Sequence, residues 1–279
     1  MHDWLIALIL GIVEGITEFL PVSSTGHLLI AEKILLNHGW LADTHWLAHE
    51  SHAKDLFNVV IQCGAVIAVI PLFPQRIYKF IFEFNERETK NYLFKIAVAF
   101  AITCVGGFII DKKNIKLPEE LAPVAWALLL GGIAFLAAEF FIRGKKPSTE
   151  ITWAVVLAVG LGQLVAAIFP GASRSGTTII LSLLLGLGRP AATEFSFLVG
   201  IPTMLAAGGW KIFKTLRHPD LEPLAPHADW GMILLTSVIA AVVSFIAVKW
   251  LLKYVQTHTF SLFGFYRILA AIAIFLFLK

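Results

Sequence analysis

The sequence predicts an all-α polytopic membrane protein, an inverted-topology repeat of six transmembrane helices plus two re-entrant helix hairpins. Three observations carry this reading. The chain is far too apolar for a soluble fold, six of its apolar stretches approach spanning length, and two pairs of shorter stretches are joined by turns rich in Pro, Ser, Thr and Gly. Of the 279 residues, 58% are hydrophobic and 15% charged, where a soluble domain has roughly 45–50% and about 25%. Mean hydropathy is +0.80. A globule of this length leaves too much surface wet to hide that apolar content, so a soluble enzyme, a disordered tail and a disulfide scaffold are excluded. The net charge of +3 is spread along the chain with no stripe suited to nucleic acid. Cys63 and Cys104 lie inside apolar runs and read as small buried thiols. No basic region precedes the first apolar run and no small-residue cleavage site follows it, so that segment reads as part of the mature chain.

Five stretches, 56–73, 92–110, 122–142, 229–250 and 260–278, have the length and apolarity to cross a hydrocarbon core of about 30 Å, and 195–216 is a weaker sixth. The segments 4–20 and 28–36, and again 151–169 and 177–187, are too short to span alone. Half-length helices joined by a polar turn enter and leave a membrane on one side, and their irregular backbone survives only inside protein or beside a wet cavity. At an offset of 149, Gly11, Glu14, Pro21 and Ser24 fall on Gly160, Gln163, Pro170 and Ser173. Three crossings follow each hairpin, so the second hairpin enters from the opposite face. The expected organisation is one membrane domain, with residues 1–142 and 151–279 as inverted repeats whose broken helices meet near the midplane. Ten basic residues on one face against nine on the other give no orientation. The eight tryptophans mostly flank the spans, as interfacial anchors do.

The first turn runs from Glu14 through Glu18, Pro21, Ser23, Ser24, Thr25 and Gly26 to His27. Glu14 and Glu18 are four apart and would share a helix face, where two carboxylates repel unless a proton, an arginine or a divalent cation intervenes. Mg²⁺ or Ca²⁺ suits such oxygen ligands. At least one of the three hydroxyls is expected to cap the following helix, while His27 beside a hydroxyl and two carboxylates has the chemistry of a general acid or base. The second turn, Pro170-Gly-Ala-Ser173-Arg174-Ser175-Gly176-Thr177-Thr178, precedes a helix N-terminus that favours an anion. Arg174 adds a planar fork of donors suited to phosphate, or a counter-charge for the glutamates.

These two motifs, with Val60-Ile-Gln62, Glu194-Phe-Ser-Phe and Tyr266-Arg267, closely resemble the bacterial undecaprenyl-diphosphate phosphatases, also known as the bacitracin-resistance family. The resemblance covers nearly the whole chain. It implies a membrane hydrolase that converts undecaprenyl diphosphate to the monophosphate carrier lipid for peptidoglycan, with a divalent cation, an outward-facing site, an interdigitated inverted-repeat fold and a homodimer. Carried over residue by residue, Glu14 and Glu18 are the acidic pair, Ser24 the hydroxyl, His27 the base, and Ser173, Arg174 and Thr178 the phosphate-binding group, with Thr25, Ser175 and Gly176 beside them. The nucleophile is Ser24, activated by His27 or Glu18, or a water held by the same groups. A transporter or flippase for an anionic lipid is the alternative that the architecture alone would allow. Glu194 and Arg267 are expected to pair with polar neighbours and tune the pocket. His45, His49 and His52, in the segment 37–55, read as a solvated loop rather than a metal site.

Overall fold

A computed structural model describes residues 3–41, 47, 52–113, 115, 120–217 and 230–277. Among the described residues the chain is helical, with no strand beyond an isolated bridge between Ser148 and Leu187. The first hairpin is α1 (Asp3–Thr17) and α2 (Ser24–Asn37), followed by α3 (His52–Val69), α4 (Pro74–Phe82), α5 (Arg87–Lys112) and α6 (Leu121–Ile142). The second is α7 (Trp153–Ile168) and α8 (Arg174–Leu184), followed by α9 (Arg189–Arg217), α10 (Trp230–Tyr254) and α11 (Ser261–Phe277).

Four helices, α5, α6, α9 and α10, are long and apolar enough to cross a membrane, and α3 with α4 makes a fifth if the bent pair is one span. The chain is a multi-pass membrane protein. The expected straight span at 56–73 is instead broken: Ile70–Leu72 tightens into a 3₁₀ turn and α4 departs at 83°. Pro71 and Pro74 supply the break, since each removes a backbone donor and crowds the preceding turn. The weaker stretch at 195–216 is the middle of the longest helix, which carries Pro202 without ending. Cys63 is half-buried and Cys104 is exposed on α5, so neither is the fully buried thiol its apolar run predicts, because apolar faces of these helices lie on the outside of the bundle. Seven of the tryptophans are exposed near helix ends, and Trp46 lies outside the described residues. So do His45 and His49, while the backbone of His52 opens α3.

Each hairpin packs on the other half of the chain. α1 lies along α10, and α7 along α5. Glycines set how close these pairs come: a Cβ on Gly11 would meet Ile239 Cβ and Thr236 O at 2.9 Å, and one on Gly160 would meet Ile102 Cβ at 3.0 Å and Ala99 O at 3.1 Å. The two glycines matched by the offset in sequence therefore do the same work against partners in the opposite half. α6 and α11 close the other flank, where a Cβ on Gly132 would lie 2.7 Å from Gly264 O. Small residues let helix backbones approach this closely in lipid, where little hydrophobic force drives them together.

Gly15 tests that packing, because a Cβ there would lie 2.6 Å from Val243 Cβ and 2.8 Å from Ala240 O. Gly15→Val is expected to destabilise the protein by about 1–3 kcal/mol or more, read as a lower Tm in detergent. Gly107→Ala on α5, with nothing within 4 Å, is expected to leave Tm unchanged or raise it slightly through helix propensity.

Candidate active site

Both re-entrant turns end in the same cap. Ser23 has φ 77° and its side chain accepts from the Gly26 N–H, at 3.3 Å, at the start of α2. Ser173 has φ 67° and accepts from the Gly176 N–H at 3.1 Å at the start of α8. Left-handed backbone at a non-glycine residue costs of order 1–3 kcal/mol and persists where the surroundings enforce it. The structure thus equates Ser23, not Ser24, with Ser173. One extra residue after Pro170 shifts the register, with Gly171 at φ 93° absorbing it. The first helical position is then Ser24 in one hairpin and Arg174 in the other.

Glu18 joins them. It sits just past the end of α1 rather than on the helix, although its N–H still bonds Glu14 O at 2.9 Å. Its Oε2 accepts from Ser24 Oγ at 2.6 Å, and its Oε1 from Arg174 Nη2 at 3.2 Å. One carboxylate therefore holds a hydroxyl of its own turn and the guanidinium of the other. Arg174 also lies 5.5 Å above the Phe19 ring and presses against Gly200, where a Cβ would be 1.8 Å from its Nη1. Beside this chain Glu14 is fully buried, and neither of its carboxylate oxygens has a hydrogen-bond partner; Arg174 Nη1 is also without one. Buried polar groups are seldom left so, which marks the space between the turns as built for something polar.

That space fits a hard cation of limited protein ligation. Glu14 and Glu18 offer carboxylate oxygens, and among the described residues no group of three or more acidic, His or Cys side chains could complete a metal site. Two carboxylates leave most positions around either Mg²⁺ or Ca²⁺ to water and substrate phosphates.

The remaining site residues divide by where they point. Arg267 is wholly buried and pairs with no carboxylate. It donates to Pro21 O in the first turn, to Gly171 O and Ala172 O in the second, and to Ala127 O and Leu128 O in α6, at 3.0–3.4 Å. Thr178, 1% exposed, is turned to α9, with its hydroxyl on Arg174 O at 2.8 Å and Ser196 Oγ at 2.5 Å. Ser175 is buried against Ser173 Oγ and Leu20 O, Gly176 gives the N–H bound by Ser173, and Thr25 is half-buried on the first turn of α2. His27 does not touch Ser24: its ring nitrogens bond Ser23 O at 2.7 Å and Tyr266 Oη at 2.6 Å. Glu194 is paired elsewhere, with Arg76 at 2.6 Å and Tyr92 at 3.4 Å. Tyr266, Gly200 and Ser196 escaped sequence reasoning as members of the site. Ser196 and Tyr266 lie in motifs that carry the family resemblance, and the signal for Gly200 is a small residue in an apolar helix.

The two turns bring a hydroxyl, a carboxylate and a guanidinium together inside a helical bundle, a set of groups with the chemistry to take a phosphorylated ligand. The chain belongs to the bacitracin resistance protein BacA family, which it matches over residues 7–273. It is 45% identical over 271 residues to the undecaprenyl-diphosphatase of Rhizobium etli strain CIAT 652, covering 97% of this chain and 95% of that protein. Against the undecaprenyl-diphosphatase of Xanthomonas oryzae pv. oryzae strain PXO99A it is 44% identical over 280 residues, covering 100% of this chain and 98% of that one.

Gly200 gives a stability test of the inter-turn contact. Gly200→Ala forces the Arg174 head group off Glu18 and is expected to lower Tm, at a cost of about 1–3 kcal/mol. Adding Arg174→Ala removes the clash, so the double variant is expected to melt close to Arg174→Ala alone.

Proposed function

We propose that the protein is an undecaprenyl-diphosphate phosphatase of the bacterial cytoplasmic (inner) membrane, with inverted halves 1–142 and 151–279 and a site open to the periplasmic side. Its product is undecaprenyl phosphate, the carrier lipid for peptidoglycan, and recycling of that lipid underlies bacitracin resistance. Family membership supports the reaction class. The observation that carries the assignment to these residues is the chain Ser24–Glu18–Arg174, in which a hydroxyl already donates to a carboxylate beside a phosphate-binding cation. A homodimer is the association state the family resemblance implies.

In this reading the prenyl tail lies along the apolar helix surfaces while the diphosphate enters between the turns. Arg174 takes the terminal phosphoryl oxygens, with the N–H groups of Arg174 and Ser175 at the first turn of α8, which lie outside the intrahelical ladder. Thr25, Ser173, Ser175, Gly176 and Thr178 shape that cradle, the last by holding α8 to α9 through Ser196. Ser24 Oγ attacks the terminal phosphorus as Glu18 takes its proton, and the bond from phosphorus to the bridging oxygen breaks to release the lipid monophosphate. Water then hydrolyses the phosphoserine, returning the proton to Ser24 and freeing phosphate. Glu14 and Glu18 would hold Mg²⁺ or Ca²⁺, which supplies charge neutralisation to the phosphoryl oxygens when bound. Charge fixed in advance around a transferring phosphoryl group is the main source of rate in such reactions.

Purified protein in detergent is expected to release phosphate from undecaprenyl diphosphate, to lose that activity on chelation and to regain it with Mg²⁺ or Ca²⁺. Arg174→Ala is expected to cost on the order of a hundredfold or more in kcat, as loss of a preorganised donor does elsewhere. No release by folded wild-type protein across metals and pH would contradict the assignment. Ser24→Ala is expected to abolish turnover, and a substantial residual rate would replace the phosphoserine by direct attack of water.

A further inference from the structure

The two nitrogens of His27 are committed to different partners. Nδ1 lies 2.7 Å from Ser23 O, and a carbonyl can only accept, so Nδ1 carries a hydrogen. Nε2 lies 2.6 Å from Tyr266 Oη, 239 residues away on α11, and the two rings stack at 5.5 Å with 10° between their planes. Ser24 meanwhile donates to Glu18. The imidazole is therefore held between the first turn and the last helix, pointing at a tyrosine that is 44% exposed and away from the hydroxyl. Tyr266 adjoins Arg267, whose bonds to both turns fix the register of α11 against them.

We propose that Tyr266 links His27 to the departing lipid phosphate: its hydroxyl takes the Nε2 proton and passes its own to the leaving group, while Glu18 serves Ser24. This rests on the phosphatase reading. The imidazolium gives its Nε2 proton to Tyr266 Oη as the tyrosine hydroxyl gives its own proton to the bridging oxygen and the phosphorus–oxygen bond breaks. Tyr266 then donates its hydroxyl hydrogen bond to the neutral Nε2 left behind, the arrangement seen in the structure, and water restores the proton for the next turnover. With Nδ1 tied to Ser23 and Nε2 to Tyr266, neither tautomer nor ring direction changes between steps.

The test is a double-mutant cycle on phosphate release with His27→Gln and Tyr266→Phe, which keeps the ring and its packing. Tyr266→Phe is expected to lower kcat about a hundredfold or more, the usual effect of losing a general acid, with KM within about twofold of wild type. In the His27→Gln background the same change is expected to have no further effect, since the hydroxyl only passes on the proton of the imidazole. Equal losses in both backgrounds would show a structural role and overturn the proposal, as would full activity of Tyr266→Phe. Nitrogen NMR of histidine-labelled protein, with His27 assigned by His27→Gln, supplies a readout that does not need turnover. A shifted His27 Nε2 resonance in Tyr266→Phe is expected, and an unchanged one would overturn the proposal even if the wild-type protein proved to release no phosphate.

Discussion

The guanidinium of Arg267 holds the two re-entrant turns together. Two turns buried inside a helical bundle leave carbonyls with no ladder partner, a condition that buried backbone does not tolerate. Arg267 answers it with one side chain, donating to carbonyls of Pro21, Gly171 and Ala172 and of the α6 helix that passes between. Gly131 makes room, since a Cβ there would stand 2.2 Å from the Arg267 Nη2. A buried arginine is costly unless its donors find partners, and here all three nitrogens do: the turn carbonyls of Pro21, Gly171 and Ala172 gain a donor, and Ala127 and Leu128 inside α6 share theirs. Once the turns are fixed to each other, Glu18 can reach Ser24 and Arg174 at once.

The two hairpins share local geometry and differ in the chemistry they carry. Gln163 occupies on α7 the place that Glu14 has on α1, and the glycine contacts set Thr103 of α5 against it where α10 has Ala240. Gln163 Nε2 donates to Thr103 Oγ1 at 2.9 Å, and that hydroxyl in turn lies 2.9 Å from Ala99 O. The second hairpin is thereby tied to α5 through Gln163 Nε2, while Gln163 Oε1 stays without a partner. Opposite Ala240 no such tie is available, and the Glu14 carboxylate keeps both oxygens open. At the turn tips the division recurs, because equivalent positions carry a hydroxyl, Ser24, in one hairpin and a cation, Arg174, in the other.

Much of this was readable from residues alone. Apolar length gave the helices, the two Pro-Ser-Gly turns gave the hairpins, and the offset between Gly11 and Gly160 already related helices that turn out to make the same contact. What stayed hidden were properties of the folded turns and of distant pairs. The cap register at Ser23 depends on a left-handed φ and on one inserted residue, which a gapless offset cannot represent. Glu18 left the helix because α1 ends at Thr17, so helical spacing described its neighbours correctly but not its freedom to swing toward Arg174. The hydroxyl of Thr178 turned to Ser196, and Tyr266 met His27, through contacts between elements whose mutual orientation no periodicity encodes. The bend into α4 was hidden too, because the apolar run over 56–73 reads as continuous.

The central claim is that both turns act on one phosphoryl group, and a structure of the protein with vanadate tests it most directly. Vanadate adopts the five-coordinate geometry of phosphoryl transfer. The expected result is vanadium bonded to Ser24 Oγ with its equatorial oxygens on Arg174 and the N-terminus of α8. Vanadate held by only one of the turns, or bound away from both, would contradict it.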